Sequence, residues 1–391
     1  MNRCYKFGEI LLPKNVDVKN WAVVACDQYT SDPQYWERIE TGVTDPTALR
    51  LIFPEVYLGK DDEERIGRII AKQNEYLDDG VFDKVDGTVL VKRSTPYGNV
   101  RYGLMCLVDL TEYSVGKGER PLIRATEGLV ESRIPPRVAI RKNCPLELPH
   151  IMLLIDDPSR MVIEPLISHN SGVLYDGDLN GDGGHVTGYS VTDTSGVEAA
   201  LDDLIAKSKE KYGEELAFLV GDGNHSLATA KACYDPENPL SRYALVEIVN
   251  VFDEGLKFEP IYRAVFGADE KFVAALKDAM KGGTDEIAVY TGSKAESIPF
   301  PADPIDGVKK IQNFIDEYLS THDGLEVDYI HGADDLKNIC KSRGAVGIEL
   351  KPIDKDSFFA YIVKNGVLPR KTFSMGEANE KRYYIEARKV K

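Results

Sequence analysis

A chain of 391 residues with 43% hydrophobic and 29% charged side chains has the makeup of a globular protein and can bury the cores of two or three domains. Its formal net charge of −16 opposes general nucleic-acid binding, because releasing phosphate counterions requires a basic face. No apolar run reaches the ~20 residues of a membrane span, and an acid interrupts the short apolar stretch of "MNRCYKFGEILLPKN", so neither a membrane anchor nor a secretory leader is expected.

From the N-terminus, "WAVVAC" (21–26) reads as a strand, and Ser31 or Asp32 can cap a following helix with Pro33 in its first turn. "DEERIGRIIAKQNEYLDDG" (62–80) carries apolar residues at helical spacing and ends at a glycine. "GTVLVKRSTPYGNVRYGLMCLVDL" predicts two strands around a Pro/Gly turn. Pro135-Pro136 suits the first turn of a helix that places Arg137 and Arg141 one turn apart. "HIMLLIDD" is a buried strand, and "SGVLYDGDLNGDGGHVTGYSVTD" is a hairpin. The helix "GVEAALDDLIAKSKEKYG" then leads into the strand "ELAFLV", and "YALVEIVNVF" is a further strand. Beyond about Gly267, helical stretches alternate with strands, and "KRYYIEARKVK" reads as a last strand returning to the core. The expected class is α+β, with mixed sheets, hairpins and peripheral helices. The segments are 1–115, 116–265 (motif-bearing) and 266–391.

Several motifs are weak or missing. Asp176 to Asp182 resembles the start of a calcium loop, but Thr187 stands where a bidentate glutamate belongs, so a polar turn with a structural His185 fits better. No GxSxG, HExxH or GxxxxGK[ST] is present. The six cysteines are scattered without a CxxC pair, which suits reduced thiols in the cytoplasm, and Cys26 has no neighbouring histidine to activate it. Two basic islands stand out, six basic residues against two acids over 120–142 and seven against three over 366–391. They are either solvated faces or parts of an anion site.

"LVGDGNHSLATAKA" (219–232) places a polar, glycine-bearing corner between a strand and a helix. Gly221 and Gly223 permit positive φ and close approach to a ligand. Ser226 is read as the N-cap, leaving N–H donors that attract anions. Asp222 and His225 add an acid and a titratable ring, with Asp222 the best candidate for holding a metal. The same residues also fit a tight Asp-Gly turn with a locally satisfied histidine.

"GDGNHSLATA" is similar to the Asp-Gly-His-His-Arg-Tyr-Glu-Thr-Ala signature of the bacterial and archaeal family known as domain of unknown function 1015. The similarity extends along most of the chain. It includes "VVACDQYT", "RATEGLVESRIPPRVAIRK" with Glu127 and Arg137, and Val249-Asn250. It continues through Asp253 to Leu256, Pro260 to Arg263, and Pro369 to Phe373 with Lys371. Asn224 replaces the family's first histidine and Ser226 its arginine, which removes a bidentate phosphate donor. The signature also resembles that of the ParB/sulfiredoxin-like group, which includes SpoOJ/ParB partitioning proteins and free-serine kinases. That resemblance implies a ParB-like core whose corner contacts phosphates.

Two readings follow from it. One is a nucleotide-dependent phosphotransferase or phosphohydrolase using Mg²⁺. There Asp222, His225 and Glu127 are catalytic, and Gly221, Gly223, Asn224, Ser226, Arg137, Arg263 and Lys371 bind a small phosphorylated or anionic ligand. The other is a non-catalytic ParB-like sensing module with the same pocket.

Overall fold

The structure, a computed structural model, describes residues 3–115, 119–169, 171–369 and 371–391. Residue 116, at the expected segment boundary, and Arg370 of the Pro369–Phe373 segment lie outside the described residues. The chain forms two units, one of residues 1–256 with 378–391 and one of residues 257–377.

The first unit is built on a mixed sheet. Its strands are β1 (Tyr5–Lys6), β2 (Thr88–Ser94), β3 (Val100–Asp109), β4 (Tyr113–Ser114), β5 (Ile123–Arg124), β6 (Met152–Ile155), β7 (Ser171–Asp178), β8 (His185–Val191), β9 (Phe218–Asp222) and β10 (Tyr243–Asn250). Their order is β7-β8-β2-β3-β10-β6-β9-β5-β4, with β1 also paired to β3. Pairings from β7 through β10 are antiparallel, β10 and β6 run parallel, β6 and β9 antiparallel, and β9, β5 and β4 parallel.

Alternation along β3 explains the layering. Leu104, Cys106 and Val108 join one apolar core, while Met105 and Leu107 join another on the opposite face. The first core takes Val197 and Leu201 from a helix at Ser195–Tyr212. The second takes Trp21, Trp36 and Tyr383. Three further helices matter to the site: α1 (Pro33–Gly42), α2 (Asp62–Asp78) and α3 (Ile134–Arg141). Asp32 caps α1 with its side chain and Pro33 sits in the first turn, as the sequence suggests.

The second unit has a five-stranded antiparallel sheet formed by Lys294–Phe300, Asp285–Thr291, Val346–Ile348, Tyr262–Phe266 and Glu326–Ile330, in that order. Helices Glu270–Ala279 and Pro304–Thr321 cover it through Phe272, Leu276, Val308, Ile311 and Ile315. Both units mix helices with largely antiparallel strands, and the protein is α+β.

Two local expectations change. "WAVVAC" is a strand only at Val23–Val24, because Asp17 caps a helical turn at Val18–Trp21. The C-terminal stretch splits into Tyr383–Tyr384, paired with Val23–Val24, and Arg388–Lys389, paired with Leu146–Glu147. Buried ion pairs, Arg382 with Glu386 and Arg388 with Glu147, anchor the chain where it changes partners.

Candidate functional site

The corner is made by β9 ending at Asp222 and a helix, α4 (Asn224–Ala232), starting two residues later. Gly223 is the N-cap at φ +82°. A Cβ there would meet the Ile151 backbone at 3.0 Å, so the turn needs glycine for conformation and for space. Gly221 lies inside β9 and is not among the positive-φ glycines. Ser226 is not the N-cap: the left-handed glycine starts the helix earlier and places Ser226 in its first turn.

Asn224 and His225 brace a neighbouring loop. Asn224 is buried, and its Oδ1 accepts from the Thr126 N–H at 3.1 Å. His225 Nε2 accepts from the Val130 N–H at 3.0 Å, which leaves the ring proton on Nδ1. Burial, and then the charges of Arg137 and Arg133, lower the His225 pKa to about 4, with Asp27 opposing them. This ring is therefore neutral at pH 7. Glu127 is half-buried in the same loop.

Asp222 is engaged on both oxygens, with Oδ1 accepting from the Gly223 N–H at 2.9 Å and Oδ2 lying 3.4 Å from Lys381 Nζ. Arg137, on α3, forms a partly buried ion pair with Glu55 and donates to the Arg133 carbonyl at 2.8 Å. Sequence reasoning did not single out Asp27, Glu55, His150, Lys381 or Tyr384. Ser226 Oγ lies 2.7 Å from His150 Nε2, and His150 Nδ1 lies 2.8 Å from the Tyr384 hydroxyl. That hydroxyl also accepts from the Cys26 N–H at 3.1 Å.

Two carboxyls beside these residues are driven in opposite directions. Burial opposes ionisation of Asp27, but His150, the Gln28 amide, Lys381 and Arg137 outweigh it and hold Asp27 below its ordinary value. Burial raises Glu55, and the charge on Asp27 adds to it against the pull of Arg137. The Glu55 N–H donates to the Cys26 carbonyl at 2.8 Å, so the two acids lie on adjoining backbone. Burial pushes the Cys26 thiol up, followed by Asp27 and Glu55, which disfavours a reactive thiolate.

Several of these groups border a cavity of about 140 Å³. Leu51, Ile52, Phe53, Leu146, Leu148 and Leu245 form apolar walls, and Cys26, Glu55, Arg137, His150, Ser226 and Tyr384 supply polar lining. An apolar cavity of roughly 150 Å³ accepts a benzene-sized ring. This space therefore admits a small ring or a branched aliphatic group.

Two other expected site residues belong to the second unit. Arg263 is fully buried in the second unit, its Nε donating to Gln312 Oε1 at 2.9 Å, and burial lowers it to about 10. Lys371 is exposed in the second unit at φ +57°. The basic islands are not plain solvated faces. Arg120 and Arg124 pair with Glu214 at 3.1 and 2.8 Å, Arg137 with Glu55, and Arg141 with Glu147. Arg382 lies 3.3 Å from Glu247, and Arg388 lies 2.8 Å from Glu147.

Among the described residues, no group of three or more His, Cys, Asp or Glu side chains is arranged to hold a metal ion. With both its oxygens engaged, Asp222 does not supply a ready cation site. Among the described residues, no helix is long and apolar enough to cross a membrane.

Fold and site define an α+β protein with a small, part-apolar pocket beside a strand-to-helix corner. The chain belongs to the DUF1015 family, described as protein of unknown function, whose profile matches residues 7–387. No match was found among curated proteins. Among solved structures, a conserved hypothetical protein from Pyrococcus furiosus is similar at 15% identity and a TM-score of 0.36, covering 71% of this chain and 90% of that one. A free serine kinase in complex with AMP is similar at 16% identity and a TM-score of 0.38, covering 73% and 90%. SbnI from Staphylococcus aureus, with a C-terminal truncation, is similar at 10% identity and a TM-score of 0.38, covering 72% and 82%.

Proposed function

We propose that the first unit binds a small phosphorylated ligand at the 221–226 corner and transfers its phosphoryl group. One observation carries this reading. Arg137, Glu55, His150 and Ser226 of the first turn of α4 line one small cavity, and Lys381 lies 3.4 Å from Asp222 at the adjoining corner. Helix geometry leaves the first N–H groups of α4 without intrahelical partners, and the macrodipole favours an anion there. Asp27 is held below its ordinary value and Glu55 above its own, so the two carboxyls on adjoining backbone differ in how readily each takes up a proton, with Glu55 paired to Arg137. His225, neutral with its proton on Nδ1, offers a hydrogen-bond donor without a positive charge.

On this reading the corner belongs to a ParB-like core and the ligand is a nucleotide or another phosphate ester. Any Mg²⁺ would enter with the ligand's own phosphates as its main donors. The protein would work in the cytoplasm, where reducing conditions keep thiols such as these six free. A sensing module without turnover is the second reading. It is favoured by Ser226 standing in place of the family's arginine and by Glu55 neutralising Arg137.

A thermal-shift panel of nucleotides, inorganic phosphate and p-nitrophenyl phosphate, each with and without Mg²⁺, tests the proposal. A rise in melting temperature with turnover is expected. A rise without turnover leaves the sensing reading, and no rise with any compound overturns both.

A further inference from the structure

Resting on the reading above, we infer that Ser226 is the phosphoryl acceptor of the site, with His150 as its general base, and that the leaving group is a ring-sized alcohol or phenol seated in the apolar cavity. Ser226 Oγ and His150 Nε2 are 2.7 Å apart, the reach a proton acceptor needs. When the serine donates to Nε2, the ring proton lies on Nδ1 and is donated to Tyr384, 2.8 Å away. The Cys26 N–H, donating to the same phenol oxygen at 3.1 Å, holds Tyr384 in position. Tyr384 is thus a positioning residue that selects the basic tautomer of His150, and the Asp27 carboxylate stabilises the imidazolium when it forms.

The surroundings suit the phosphorylated state. Ser226 is in the first turn of α4, where N–H groups and the macrodipole stabilise a phosphoserine. Ser226, His150 and Tyr384 line the same cavity as Leu51, Phe53 and Leu245. A phosphate ester could therefore rest its apolar group against those walls while its phosphorus faces the serine.

The step balances. The Oγ–P bond forms as the P–O bond to the leaving group breaks. The serine proton passes to His150 Nε2 and then to the departing oxygen. Water next attacks phosphorus, His150 takes its proton, and the serine leaves with that proton restored. The products are inorganic phosphate and the free alcohol or phenol.

The test mixes the full chain with p-nitrophenyl phosphate, quenches with acid within the first turnover, and maps phosphorylated peptides by mass spectrometry. Phosphate on Ser226 and a burst of nitrophenolate stoichiometric with protein are expected. The wild-type map needs no variant. His150→Gln should slow the burst about 10²–10⁴-fold, the usual range for loss of a general base. Tyr384→Phe should slow it less and alter its pH profile, which a purely structural role would not do. Phosphate on another residue, or none while phosphate compounds still raise the melting temperature, overturns this inference and leaves the binding proposal standing. No melting shift with any phosphate compound overturns the binding proposal as well.

Discussion

Acidification should destabilise the first unit through one ring, His225. Its pKa falls from 6.5 to about 4 on folding, chiefly by burial. Between those values the unfolded chain binds a proton that the folded chain does not, so stability drops as pH falls from 6.5 towards 4. Above 6.5 the ring is neutral in both states and its full contribution is present. At ~1.36 kcal/mol per pH unit, the interval sets a ceiling of roughly 3 kcal/mol, and partial exposure reduces the expected effect to about 1–2 kcal/mol. His225→Gln keeps an acceptor for the Val130 N–H and removes the titration. Urea unfolding followed by tryptophan fluorescence reads the first unit alone, because Trp21 and Trp36, the protein's two tryptophans, are both buried in its core. Between pH 7 and 4.5 the wild type should lose about 1–2 kcal/mol more than the variant. Equal losses would refute the assignment of a neutral, half-buried His225.

The other expectations concern neighbouring residues. Gly223→Ala imposes φ +82° on a side chain and presses a Cβ to 3.0 Å from Ile151, so a loss of about 1–3 kcal/mol should appear in the same unfolding assay. Asn224→Ala strips the buried Thr126 N–H of its acceptor and should cost about 1–3 kcal/mol. Arg137→Ala removes a charged donor worth about 1.5–3 kcal/mol, so calorimetric titration should show phosphate binding weakened roughly 10- to 100-fold. The same change removes the cation that lowers Glu55, whose titration by NMR should move further up.

Local physics made much of the architecture legible. Apolar runs flanking Pro/Gly and Gly/Asn/Asp turns mark β2, β3, β7 and β8, and the Asp32–Pro33 pair marks the start of α1. The corner itself was visible because glycines and polar residues interrupt an apolar strand at Val220. The start of α4 was misplaced because Gly223 caps by conformation, whereas Ser226 only looks like a cap by composition. His150 had a faint signal, an imidazole after proline at the entry to β6, but its partners Ser226 and Tyr384 lie 76 and 234 residues away in sequence. The basic islands misled for the same reason. Glu147 for Arg141 and Glu386 for Arg382 are near in sequence, but the counterions Glu9, Glu55, Glu214 and Glu247 come from distant segments, so sequence shows that charge but not its neutralisation.

The central claim is that an anion occupies the corner between β9 and α4. Crystals soaked in tungstate, a phosphate mimic with a strong anomalous signal, test it most directly. The anomalous peak should lie within hydrogen-bond distance of Lys381 and the first N–H groups of α4, beside Ser226. Occupied tungstate sites elsewhere on the first unit, with none at this corner, would contradict the account.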